Sequence, residues 1–360
     1  MLRLSSIGRI ALVAGVAAMV ATACGGSTGT NTGADIGKGA LTGAGATFPG
    51  PFYQKAFLDY STRYPQVTVN YQSVGSGAGI QQFIKKTVDF GASDVPMGAA
   101  DIASAGGDSA LTQIPTTLGV VSIAFNISGV SSLNLDGDSL AAIYLGQIKK
   151  WNDPKLLALN SGTNLPNKAI TVVHRSDGSG TTYHFTDYMS KISADWKTKV
   201  GKAKSVSWPT GVGASGNQAV AQAVSSTDGA IGYVELAYVV QTGMKQAALK
   251  NANGKFVQAS VDGATAAAAT NTSLTPTNFS ITNAACDACY PIAAFSWAML
   301  YTSYSDSDKG KAVVNLFKWL VTDGQSNGKD LQYAPLPTAV EQLALTNLKT
   351  IKAGGSTVLS

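Results

Sequence analysis

Arg175 stands directly ahead of SDGSGTTYHF, residues 176–185. A guanidinium can grip an oxyanion through two parallel hydrogen bonds. Gly178 and Gly180 let an anion approach the backbone, while Ser179 and Thr181 add hydroxyl donors. Asp177, two residues beyond the arginine, can orient it and moderate its charge. A phosphate cradle, a catalytic loop and a plain turn all use such residues. An exposed Arg175–Asp177 ion pair would contribute little by itself. A second carboxylate of interest, Asp94, closes DFGASD (89–94). Taken alone, it is more often a turn or cap residue than a ligand.

Two further stretches repeat the glycine-plus-hydroxyl design: GAGATFPG (43–50) and VGSGAG (74–79). Each of the three loops falls at a strand-to-helix corner. The first four backbone N–H groups of a helix have no partner within it, and the helix dipole adds partial positive charge there. One such corner is weak support for anion binding, because Ser, Thr and Gly also cap and turn. Three in one chain are stronger.

The elements that must carry these corners are legible from periodicity. Val67, Val69 and Tyr71 alternate with polar residues, as a half-buried strand does. Gly119–Ile127, Ala169–Val173 and Ala293–Tyr301 are short apolar runs suited to buried strands. Tyr53, Ala56, Phe57 and Tyr60 share one helical face. So do Ile80, Phe83, Ile84 and Val88, then Phe185, Tyr188, Met189 and Ile192, then Val313, Leu316, Phe317 and Leu320. Strand, loop and helix repeated in this way predict an α/β fold with mainly parallel sheets.

Catalytic signatures are missing. There is no G-x-x-x-x-G-K-[ST], and no G-x-S-x-G forms a nucleophile elbow at a strand-to-helix corner. His174 neighbours Arg175, but adjacent strand residues point to opposite faces, so it reads as a packed or hydrogen-bonded histidine. His184, one turn into a helix, reads as structural or exposed. Cys286 and Cys289 form C-x-x-C, and in an exported chain a local disulfide is expected. A redox pair would need a different setting, and a zinc site two more ligands. No metal and no cofactor are expected.

The chain has 360 residues, 13% of them charged and 45% hydrophobic, which suits a folded protein of two lobes. The net charge of +5 falls to +3 without Arg3 and Arg9, too mild and scattered for nucleic acid. Those two arginines precede an apolar run, Ile10–Ala23, of 14 residues. That is shorter than the ~20 of a membrane-spanning helix and reads as a secretion signal, residues 1–23. AlaThrAla before Cys24 suggests lipoprotein processing, with Cys24 acylated and residues 24–38 a flexible tether. Lipoprotein signals usually carry Leu three positions before the cysteine, where this chain has Ala21, so ordinary signal cleavage is the alternative.

Seven stretches together resemble one family: GAGATFP, YQSVGSGAGI, DFGASDVP, IYLGQIKKWNDP, VVHRSDGSGTTYHF, WPTGVGASGNQAV and DGAIGYVELAY. They resemble, in order and over most of residues 41–340, the PstS-family phosphate-binding lipoproteins of ABC-type phosphate importers. The resemblance implies a two-lobed periplasmic-binding-protein fold that holds one dehydrated phosphate in the cleft and hands it to a membrane permease, without catalysis. It implies phosphate ligands at Thr47, Phe48, Ser76, Asp94, Arg175, Ser179, Gly180 and Thr181, with Asp177 orienting Arg175. The second loop reads GSGAG where many members have GSSGG, and residues 255–290 fit the family pattern poorly.

Lobe one is expected to comprise residues 39–118 and 291–360, and lobe two residues 119–290. Asp94 would accept a hydrogen bond from protonated phosphate and face only lone pairs on sulfate. A site of that kind can reject the wrong anion by on the order of 10⁴-fold. The alternatives are a secreted phosphatase or phosphoryl-transfer enzyme using the same loops, and a binding protein for another tetrahedral oxyanion.

Overall fold

Strand and helix alternate over the first described elements. The computed structural model describes residues 35–359. The signal segment, Cys24 and most of the tether lie outside them. β1 (Gly39–Gly45) leads to α1 (Gly50–Arg63), and β2 (Val67–Ser73) to α2 (Ser76–Ile84). β3 (Phe90–Ser93) ends one residue before Asp94, and β4 (Leu111–Asn126) follows. Next, β5 (Thr171–Arg175) leads to α3 (Gly180–Ile192), and β6 (Val212–Ala214) to α4 (Gly216–Ser226). β7 (Ala230–Glu235), β8 (Ala293–Tyr301) and α5 (Ser307–Val321) complete the frame around the site.

The helices bury the faces that periodicity assigned. Tyr53, Ala56, Phe57 and Tyr60 of α1 are buried, as are Phe185, Tyr188 and Met189 of α3 and Val313, Leu316, Phe317 and Leu320 of α5. Burial of each large side chain stabilises the fold by roughly 1.5–3 kcal/mol. Val88 is buried but lies beyond the end of α2. Among the described residues, no helix is long and apolar enough to cross a membrane.

One sheet of nine strands runs in the order β2-β1-β3-β8-β4-β7-β5-β6, with the short strand Lys245–Gln246 also pairing with β4. The flanks are parallel: β1 with β2 and β3, and β5 with β6 and β7. The middle is not. β8 runs antiparallel to β3 and β4, and β4 antiparallel to β7. The reason is geometric. β4 pairs with β8 through Leu111–Val120 and with β7 through Val121–Asn126. The chain leaves along β4 and comes back along β8, so these neighbours must oppose each other.

β4 starts eight residues earlier than its apolar run. Pro115, with no N–H, and polar Thr112, Gln113, Thr116 and Thr117 disguise that half as a loop. The ladder with β8 shifts register beside Pro115, between Ser296 and Trp297. β5 is displaced by two residues from the expected run. It extends through His174 and Arg175 because both continue the ladder with β6.

Residues 255–290 are held by polar contacts as well as by buried Ala264, Ala267, Leu274, Ile281 and Tyr290. Ser280 and Thr282 donate to buried Asp187 of α3 at 2.6 Å each. Burial works to raise the Asp187 carboxyl, but Lys202, Ser280, Thr282 and Lys191 outweigh it and hold the group well below its ordinary range. Cys286 and Cys289 are joined by a disulfide, and Asn251 Nδ2 donates to the carbonyls of Cys286, Asp287 and Cys289.

Candidate anion-binding site

The helix corners converge on Asp94 and Arg175. Ser76 opens α2, and Ser179 caps α3, its hydroxyl accepting from Thr182 N at 3.1 Å. The two helices meet tip to tip: Gly77 N donates to Gly178 O at 2.8 Å, and Gly180 N to Ser76 Oγ at 3.1 Å. Glycine is required at 180 by close approach, because a Cβ there would collide with the Asp94 side chain. Gly75 has φ +95° and its missing Cβ would strike Asp177.

Asp94 is 1% exposed. Ser296 Oγ donates to its Oδ1, and Ser76 Oγ lies 3.4 Å from Oδ2. Its backbone N–H donates to Ser76 Oγ at 3.2 Å. Burial pushes its carboxyl from the ordinary 3.8 up to about 7, against the lowering effects of Ser296, Arg175 and Ser76. His184 donates from Nε2 to Asp94 O at 2.8 Å. Burial lowers the His184 ring to about 4, which keeps it neutral and fixes it as a structural donor rather than an exposed one. His174, half-buried, stacks on Trp208 with centroids 4.6 Å apart, facing away from the site as strand alternation requires.

Arg175 is 2% exposed at the end of β5. Its Nε donates to Asp177 Oδ1 at 2.7 Å and its Nη2 to Oδ2 at 2.5 Å, a two-pronged pair. Nη1 donates to Thr181 Oγ1 at 3.3 Å. Of the five guanidinium N–H groups, these bonds leave one on each terminal nitrogen. Burial works to raise the Asp177 carboxyl, but Arg175 and the Gly216 N–H outweigh it and hold the group below its ordinary value. The pair is therefore largely buried rather than a surface ion pair.

Thr47 reaches the same cluster. Its Oγ1 accepts from Asn217 N at 3.2 Å and from Asn217 Nδ2 at 2.9 Å. Tyr238 fixes the loop by donating to Thr47 O at 2.7 Å. Phe48 is wholly buried; its carbonyl accepts from Tyr333 at 2.6 Å and its ring packs edge-on against Tyr333. An open groove lined by Thr47, Gln54, Ser73, Gly216 and Gln222 reaches one end of the contact.

Three residues in the cluster were not singled out by sequence reasoning. Asn217 sits at a fourth strand-to-helix corner, β6 to α4, which repeats the glycine-and-serine pattern as ASGN. Ser296 was visible as a lone hydroxyl in the apolar strand AAFSWAMLY. Glu235 was visible as a lone acid in AIGYVE; it is 0% exposed and raised well above its ordinary value by burial.

A buried guanidinium fork, helix N-termini and an acid of raised pKa are chemically suited to hold an anion, with one group able to accept a proton. The sequence matches the model of the PBP superfamily domain over residues 26–323. It is 45% identical to the phosphate-binding protein PstS of Pasteurella multocida over 317 residues, which covers 86% of this chain and 90% of that one. The chain belongs to the PstS family of the PBP superfamily. Its PstS relative from Xylella fastidiosa is 43% identical over 302 residues, covering 82% of this chain and 81% of that protein. The architecture is the two-lobed PBP-like α/β fold. A high-affinity periplasmic phosphate-binding protein (PfluDING) superposes with a TM-score of 0.68 at 22% identity, covering 87% of this chain and 99% of that one. A phosphate-binding protein from Stenotrophomonas maltophilia gives 0.66 at 21%, covering 86% and 93%.

Proposed function

We propose that this chain captures inorganic phosphate outside the cytoplasm and delivers it to an ABC-type import permease. The observation that carries this reading is the placement of Asp94, with its carboxyl raised to about 7, against the Arg175 cluster and the α3 N-terminus. Arg175 and the helix N-termini attract any tetrahedral oxyanion. Asp94 favours one that brings a proton, because a proton must lie between the carboxyl and the anion. Phosphate supplies it; sulfate leaves the protein to take it from solvent. Relatives named as phosphate-binding proteins support the choice of ligand.

In this reading Thr47, Phe48, Ser76 and Asp94 belong to a lobe of residues 39–118 and 291–360. Arg175, Ser179, Gly180 and Thr181 belong to a lobe of residues 119–290, which closes on the first by a hinge motion. Residues 1–23 direct export, and acylated Cys24 holds the mature chain at the outer membrane face. The relatives are named as binding proteins rather than enzymes. Our reading is the same: phosphate is held and released, with no bond made or broken.

A thermal-shift screen of phosphate, sulfate, arsenate and molybdate tests the ligand, and p-nitrophenyl phosphate with and without divalent metals tests for hydrolysis. Phosphate should stabilise more than sulfate or molybdate, with no turnover. A larger shift with sulfate, or steady hydrolysis, would contradict the proposal.

A further inference from the structure

We propose that Asn217 sets the donor direction of the Thr47 and Thr181 hydroxyls and so is a positioning residue for anion binding. The inference rests on the functional reading above, in which both hydroxyls meet the anion. A hydroxyl has one proton to give and two lone pairs to fill. Thr47 Oγ1 accepts from Asn217 N at 3.2 Å and Asn217 Nδ2 at 2.9 Å. Thr181 Oγ1 accepts from the same Nδ2 at 3.1 Å and from Arg175 Nη1 at 3.3 Å. Both lone pairs of both hydroxyls are taken, so each proton must be donated outward. Because both hydroxyls lie against the one Nδ2, their two protons leave from adjacent points beside Arg175.

The amide itself cannot turn over. Asn217 Oδ1 accepts from Glu235 N at 3.1 Å, so the oxygen end is fixed by a backbone donor on β7. The NH₂ end therefore faces the two threonines. Asn217 is fully buried, which protects these bonds from water. Ser76 differs: its hydroxyl accepts from Asp94 N and Gly180 N and lies within donating reach of Asp94 Oδ2, a set of bonds complete within the protein. The anion's unprotonated oxygens all want donors. A threonine free to rotate presents lone pairs to the anion part of the time, whereas one held by Asn217 presents only its proton.

Asn217 also bonds across to Thr47, so a simple latch between the two loops has to be distinguished. Thr181 separates the cases, since the Asn217–Thr181 contact does not involve the Thr47 loop. Phosphate calorimetry at pH 8 on wild type, Asn217→Ala, Thr181→Val and the double variant is the test. Each single change should weaken phosphate by roughly 10- to 100-fold, the effect of a lost bond to a charged group. The double should fall well short of the product, because both changes disable the same donor. Asn217→Asp guards against misfolding, since it keeps the volume and the acceptor for Glu235 N. It replaces the NH₂ by an acceptor that draws both hydroxyl protons away from the anion. Its loss should exceed that of Asn217→Ala and shrink in the Thr181→Val background, where only the Thr47 hydroxyl and charge repulsion remain. Tight phosphate binding by wild type with strictly multiplicative losses, or with Thr181→Val binding as wild type, overturns the inference alone. Wild type that binds no phosphate overturns the functional reading and the inference with it.

Discussion

Sulfate isolates the behaviour of Asp94, because at neutral and alkaline pH it carries no proton. The Asp94 carboxyl is buried and pushed up to about 7. Ionised, it offers sulfate only lone pairs; protonated, it offers a donor. Sulfate is therefore bound by the protonated form, which is half the population near pH 7 and falls tenfold per unit above it. Between pH 6 and pH 9 the sulfate Kd should rise roughly 90-fold, or about 2.7 kcal/mol. Asp94→Asn carries a neutral donor at every pH, so its sulfate Kd should stay flat. At pH 9 it should bind sulfate on the order of 100-fold tighter than wild type. Calorimetric titrations of both proteins at four pH values measure this. A flat wild-type profile, or the same slope in the variant, refutes the reasoning. The raised pKa also sets a ceiling on discrimination. At pH 8 protonating Asp94 costs roughly 1.4 kcal/mol, a tenfold penalty. That is well short of the 10⁴-fold order expected for a site built around a hydroxyl. Rejection beyond tenfold at pH 8 requires that the donors Ser76 and Ser296 keep the carboxyl ionised even against sulfate, and the flat profile would then expose it.

Because the folded pKa of Asp94 is raised from 3.8 to about 7, its ionisation opposes folding. Its contribution to stability is lost as pH climbs through that window, by on the order of 4 kcal/mol. Scanning calorimetry at pH 8 without ligand should therefore show Asp94→Asn melting above wild type; an equal or lower melting temperature contradicts this. Arg175→Lys keeps the charge but loses the fork held by Asp177 and Thr181, and should weaken phosphate by on the order of 100-fold in equilibrium binding. A loss under threefold argues against Arg175 as a ligand. Ser296→Ala removes a donor that lowers the Asp94 pKa, so the midpoint of the sulfate profile should move above pH 7; an unmoved midpoint shows that Ser296 is irrelevant. Glu235 is also raised by burial, so its ionisation costs stability as pH rises above the ordinary carboxylate range. Glu235→Gln should flatten that alkaline decline in chemical denaturation, and an unchanged decline places its origin elsewhere.

The helices and three of the four corners were legible because their signals are local. A strand of alternating residues, glycines beside a hydroxyl and a helical stripe all sit within about 20 residues. What was hidden is non-local. Nothing near Asp94 announces that Gly180 will press against it or that Ser296 will donate to it, since those partners lie far along the chain. The resemblance supplied Asp94 and Arg175 as members of one site; residue spacing alone left Asp94 a turn residue. The first half of β4 was missed because Pro115 and its polar neighbours look like a loop, yet antiparallel pairing with β8 holds them in a strand. Asn217 escaped notice because its chemistry depends on both ends of one amide finding partners on three separate segments.

The central claim is that one phosphate is held in preference to sulfate between Asp94 and Arg175. Titration of phosphate into the mature chain, first stripped of bound anion, at pH 8 with and without millimolar sulfate tests it most directly. One phosphate should bind per chain, with sulfate competing about tenfold or more weakly than phosphate. Absent heat of binding, or competition by sulfate at concentrations comparable to phosphate, would contradict it.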